Sequence, residues 1–254
     1  MSGLTFAVEI AFGLLFVATF VTWLRRRDAV SLDVMLIFAA LAGLFFVSAI
    51  STVSTNQELA GALALALLFA QPVLTLRLVA RIRPIRRSVL VGAGLVWALT
   101  AVPPIFISMR VVWPLLFGGL IAFVITDIVA AVYLWLEARK RVASAKARLV
   151  AAAAGSALMA AAILVSIIGP ALTHSSGSAS EAGRATALMA ALLFAGAFVA
   201  PQWIRRIGGA ITSAQFTGHL LSGPAGERPE EIWSRLAELA RRTTGASVGL
   251  VAIG

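Results

Sequence analysis

Seven runs of apolar residues, each about 20 long, divide this chain, and that is the length an α-helix needs to cross the roughly 30 Å hydrocarbon core of a bilayer. They fall at Leu4 to Leu24, Val34 to Val53, Ala60 to Ala80, Val89 to Ser108, Val111 to Leu136, Leu149 to Leu172 and Ala185 to Ile204. A soluble domain has no place for them: 60% of the residues are hydrophobic and 13% charged, too few polar groups to coat a globule carrying seven such runs. The expected fold is all-α, a seven-helix membrane bundle whose outer partner is the lipid bilayer. The opening "MSGLTFAVE" lacks the basic start of a signal peptide, and its apolar run outlasts an ordinary h-region. Span one is therefore read as a retained anchor.

The formal charge of +10 belongs to the loops. Arginines and lysines cluster at Arg25 to Arg27, Arg81 to Arg87, Ala138 to Arg148 and Ile204 to Arg206, all on one side of a seven-span chain, against Arg110 and Arg184 on the other. That asymmetry predicts a cytoplasmic basic side, with the N-terminus outside and the C-terminus inside. It also accounts for the positive charge without nucleic acid, which is not expected as a partner. The chain has no cysteine, so disulfides, thiolate metal sites and cysteine nucleophiles are excluded.

Seven spans with the N-terminus outside invite comparison with a retinal protein, which needs a lysine in its last helix for the Schiff base. The two lysines, Lys140 and Lys146, both lie between spans five and six. Histidines are equally sparse: His174 falls in an outer loop and His219 in the tail, too far apart to share a metal. No phosphate-binding loop, GxSxG or HExxH string occurs, and no cofactor or catalytic centre is expected.

What remains is a small set of polar groups inside the spans, each costing about 2.5 to 3.5 kcal/mol at a helix centre unless paired or hydrated. Glu9, Arg77 and Asp127 are ionisable, and Gln71 beside Pro72 adds an amide near mid-membrane. Arg77 lies near the inner end of span three, where it either snorkels to the headgroups or finds a carboxylate. Counting inward at about 1.5 Å per residue puts Arg77 and Asp127 at nearly the same depth, which predicts a pair between spans three and five. Pro72 is the proline placed deepest in a span. The small residues of "AAAAGSALMAAA", Ala151 to Ala162, and Gly92, Gly94, Gly118 and Gly119 allow close helix approach, and span six is expected to be a central packing helix.

After span seven, Ile204, Ile207, Ile211, Ala214, Gly218 and Leu221 follow a 3-4-3-4-3 spacing, the a/d seam of a two-stranded coiled coil or the apolar face of a juxtamembrane helix. "SGPAGERP" then reads as a linker. Beyond it, Ile232, Trp233, Leu236, Leu239 and Ala240 make one apolar helical face, and Val248 to Ile253 is a β-prone run. The organisation is thus 1–206 membrane bundle, 207–228 signalling helix and linker, and 229–254 the opening of an α/β domain.

The stretch "EEIWSRLAELARRTTGASVGLVAIG" resembles the start of a GAF domain, whose first helix ends in a "TGAS"-like turn before the first strand. Together with "APQWIRR" after span seven and "QPVLTLRLVARIRPIRR" closing span three, it resembles the sensory half of bacterial, actinobacterial-type membrane histidine kinases. The resemblance implies a homodimeric two-component sensor in the bacterial cell membrane, responding to a small ligand or a membrane state. The rest of the GAF domain, the phospho-accepting helix and the ATP-binding domain have no counterpart in these 254 residues. The competing expectation is a small transporter that uses the buried polar groups.

Overall fold

The computed structural model describes residues 3–51, 56–107, 109–141, 143–173 and 176–199, together with Trp233, Ser234 and Ala237. Eight helices run through them: α1 (Gly3–Arg26), α2 (Ala29–Ser51), α3 (Gln57–Ile82), α4 (Arg87–Ala101), α5 (Pro103–Phe106), α6 (Met109–Ala138), α7 (Ala143–Thr173) and α8 (Ser176–Phe198). The described residues contain no strand. Among the described residues, seven segments are long and apolar enough to span a membrane, with α4 and α5 counted as one from Arg87 to Phe106. This is an all-α, multi-pass membrane-type fold. Trp233, Ser234 and Ala237 are helical, whereas the β-prone run and the 204–221 seam lie outside the described residues.

Prolines act differently at different depths. Pro103 and Pro104 have no N–H to continue α4, so the expected fourth span breaks at Val102 and restarts as the single turn of α5. Pro72 and Pro114, by contrast, lie within α3 and α6, which continue past them. Neighbouring turns and helices sustain a proline inside a membrane helix.

Six helices close a ring in the order α1, α2, α3, α6, α7, α8 and back to α1, while α4 packs outside, against α3 and α6. Phenylalanines fill the middle. Phe12 and Phe38 are fully buried, and the Phe38 ring meets Phe194 of α8 edge-on at 5.8 Å and Phe198 at 6.0 Å. Each such pair adds about 0.5 to 1.5 kcal/mol beyond area burial. The outer face is just as apolar, with Phe6, Leu14, Phe46, Leu99 and Phe117 exposed. Lipid tails offer those residues a solvent as greasy as the core, so close packing, not apolar patterning, selects the inner face.

That selection is visible at the glycines. A Cβ on Gly155 would stand 2.8 Å from the buried Phe194 ring, and one on Gly119 would stand 2.9 Å from Thr100 Cγ2. These two glycines let α7 approach α8 and let α6 approach α4. Gly92, Gly94 and Gly118 meet nothing within 4 Å, so the close approach expected of them does not occur. Nor is α7, the expected central helix, the hub. It touches α6 and α8, whereas α3 and α6 each pack against four helices.

Arg26, Arg141 and Arg148 line one cavity together with Ile82 and Phe198, so the basic clusters of α1, α3 and the α6–α7 connection gather at one end of the bundle, while Ile204 to Arg206 lie outside the described residues. By the positive-inside effect this end is expected to face the cytoplasm. Reporter fusions after Arg87, Arg148 and Arg206 are expected to give cytoplasmic signals and fusions after Asn56 and Ser178 external ones. A periplasmic signal at Arg148 would invert the orientation.

Candidate functional site: two buried carboxylates

The first carboxylate owes its position to a helix cap. The turn between α1 and α2 is two residues long, and Arg27 sits there with φ 51°, in the left-handed region that lets a helix stop abruptly. Asp28 then caps α2: its Oδ1 accepts the Ser31 N–H at 2.6 Å and its carbonyl accepts that of Leu32 at 3.1 Å. The Ser31 backbone bond holds the Asp28 carboxyl below its usual value of 3.8, assisted by the Ser31 side chain. Because the shift is downward, the cap supports α2 above that value and is lost as pH falls through the folded-state pKa. The cap starts α2 at Ala29 instead of the expected Val34, and the added turn draws Asp33 into the helix.

Asp33 is fully buried, and two arginines of α3 reach it. Arg77 and Arg81 are four residues apart and share a helix face. Arg77 Nε lies 3.1 Å from Asp33 Oδ1, an ion pair outside hydrogen-bond geometry, while Arg81 Nε donates to Oδ2. The arginine side chains are 48% and 35% exposed. They snorkel and pair at once, with apolar stems along the bundle and guanidinium groups at its basic end.

Arg77 therefore does not pair with Asp127. The equal depth expected of the two does not hold, since Asp127 bonds to Gln71, six residues or about 9 Å along α3 from Arg77. Each residue also turns the helix by about 100°. Gln71 faces α6, and Arg77, six residues on, points about 120° away from it, towards α2.

The second carboxylate meets the amide instead. Asp127 and Gln71 are both fully buried, and Gln71 Nε2 donates to Asp127 Oδ1 at 3.4 Å and to Thr75 Oγ1 at 3.2 Å. The Thr75 hydroxyl in turn donates to the Gln71 carbonyl at 2.9 Å. Gln71 and Thr75 form one i,i+4 row on α3 beside Pro72, and the row docks Asp127 of α6. Two acceptors, Gln71 Oε1 and Asp127 Oδ2, are buried without a hydrogen-bond partner among the described residues, so the centre is short of donors there.

The other expected residues do not join these centres. Glu9 is half-buried on α1 and makes no ion pair among the described residues. Ile204, Ile207, Ile211, Ala214, Gly218 and Leu221 lie outside the described residues. Sequence reasoning missed Asp33 and Glu137, whose carboxylate holds Arg141 at 3.0 Å. Asp33 stands one residue before the run drawn from Val34. Its signal was there: a short-stemmed acid in "AVSLDVMLIF", at the same end as an arginine pair with i,i+4 spacing.

The described residues hold no cluster of three or more histidine, cysteine or acidic side chains able to bind a metal. No protein-family model, curated protein or solved structure matches the chain.

Proposed function

We propose that this chain is the membrane sensory region of a bacterial signal-transduction protein, of the histidine-kinase type that its tail resembles, acting as a homodimer in the cell membrane. The observation that supports this reading is the seating of α8. This last span packs between α1 and α7, and Arg148 Nε of α7 donates to the Ala197 carbonyl at 2.7 Å, in its final turn. Phe194 and Phe198 of the same helix rest against Phe38 in the centre of the ring. A change in bundle packing thus bears on the helix from which the chain continues towards the 204–221 seam. Packed interfaces switch between discrete arrangements, which suits α8 to carry a displacement outward. The seam would receive it and pass it to a GAF-like domain beginning near Pro229.

The test uses the absence of native cysteine. Single-cysteine variants from Ile204 to Leu221, oxidised in native membranes, are expected to crosslink into dimers most strongly at Ile204, Ile207, Ile211, Ala214, Gly218 and Leu221. Uniform crosslinking along the stretch, or none, would remove the coiled-coil output from the proposal.

A transport reading has one observation in its favour, the donor-poor Asp127 centre within α6. Against it, Asp127 lines neither the cavity at the basic end nor the small one between α3, α4 and α6. Proton uptake by proteoliposomes that is lost in Asp127→Asn would favour transport over sensing.

A further inference from the structure

At the basic end of the bundle, six helices line a half-open cavity of about 280 Å³. Its lining includes Arg26 at the end of α1, Arg141 just after α6 and Arg148 on α7, with Asp28 the one carboxylate among the lining residues. Three positive charges against one negative leave the lining at +2. Asp28 is already engaged by the Ser31 N–H at 2.6 Å, and Glu137, which holds Arg141 at 3.0 Å, lies outside the lining. The balance remains positive when Glu137 is counted. The rest of the lining is mostly apolar and includes Leu78, Leu134, Leu149 and Phe198.

Two kinds of guest fit only half of this surface. A small water-soluble anion would meet the guanidinium groups and leave the apolar lining unmatched, while a neutral apolar guest would bury guanidinium groups without an anion. An amphiphile with a phosphate at one end satisfies both. Spanning helices place their ends at headgroup level, and basic pockets between such helices on the cytoplasmic side suit anionic headgroups. We propose that the cavity binds the headgroup of one anionic phospholipid, its phosphate at the Arg26–Arg148 side and its glycerol and upper acyl carbons against Leu134, Leu149 and Phe198. The site follows from the cavity alone and does not depend on the sensory reading. It does adjoin the Arg148 contact that holds α8.

The full chain, delipidated in detergent and incubated with phosphatidylglycerol or with phosphatidylcholine of the same acyl chains, provides the test by native mass spectrometry. Phosphatidylglycerol is expected to saturate at one tightly held molecule, with phosphatidylcholine about tenfold weaker or worse. The double variant Arg26→Gln/Arg148→Gln is expected to lower phosphatidylglycerol affinity by about tenfold or more. Arg86→Gln/Arg87→Gln, which removes the same charge from exposed positions outside the cavity, is expected to leave it nearly unchanged. Ala145→Trp narrows the cavity at an exposed lining position with every charge intact, and it too is expected to weaken binding. Equal losses in the two arginine double variants would reduce the effect to diffuse surface attraction and overturn the site, as would equal retention of the two lipids. Free glycerol phosphate that binds as tightly as the lipid would reassign the cavity to a soluble anion. Should Arg26→Gln/Arg148→Gln fail to fold, unaltered lipid binding by Ala145→Trp would itself overturn the proposal.

Discussion

Replacing Arg77 and Arg81 together by glutamine is expected to cost about 3 to 5 kcal/mol of stability, because the fully buried Asp33 is then left without a cationic partner. Either single replacement should cost far less, about 0 to 1 kcal/mol, since the remaining arginine still neutralises the carboxylate and both guanidinium groups are partly hydrated. The effects are thus strongly non-additive, as expected of groups sharing one partner. Adding Asp33→Asn to the double variant should recover much of the loss by removing the buried charge itself. Thermal denaturation in detergent, followed by size-exclusion profiles, measures all four variants. Two additive arginine losses, or a triple variant no better than the double, would show that Asp33 does not depend on the arginine pair. The clamp links α2 to α3 at the basic end of the bundle.

A second mutational cycle addresses the buried centre. Gln71→Leu removes the donor that Asp127 Oδ1 uses at 3.4 Å, and stranding that buried group should cost about 1 to 3 kcal/mol. Asp127→Leu leaves the Gln71 amide with Thr75 as its remaining partner and should cost about 1 kcal/mol. The double variant Gln71→Leu/Asp127→Leu is expected to be close to wild type, because replacing both partners by apolar groups of similar size removes the desolvation cost along with the bond. Thr75 keeps its bond to the Gln71 backbone carbonyl throughout. The measured quantity is the coupling between the two changes, and additive losses would mean that Gln71 and Asp127 do not act as a unit. A double variant that folds normally would also provide a clean background for asking whether the centre has any role in transport or signalling.

The chain by itself determined the architecture at the level of spans. Runs of some 20 apolar residues admit one solution in lipid, because every backbone N–H and C=O must be satisfied within its own segment. The same reading located Gln71, Arg77 and Asp127 as the groups needing partners, since a polar atom in a greasy run is conspicuous in one dimension. The pairing of those groups needed the third dimension. Asp127 sits at the level of Gln71, about 9 Å along α3 from Arg77, and on a different azimuth, so the carboxylate that Arg77 meets is Asp33, on a helix whose first turn depends on the Asp28 cap. The glycines divide the same way: Gly155 and Gly119 lie in tight contacts while Gly92, Gly94 and Gly118 face open space, although all five look alike in sequence. In water the apolar stripe of a helix announces its buried face; in a bilayer both faces are apolar, and which face turns inward is decided by the fit of side chains between neighbouring helices, which only the tertiary structure holds.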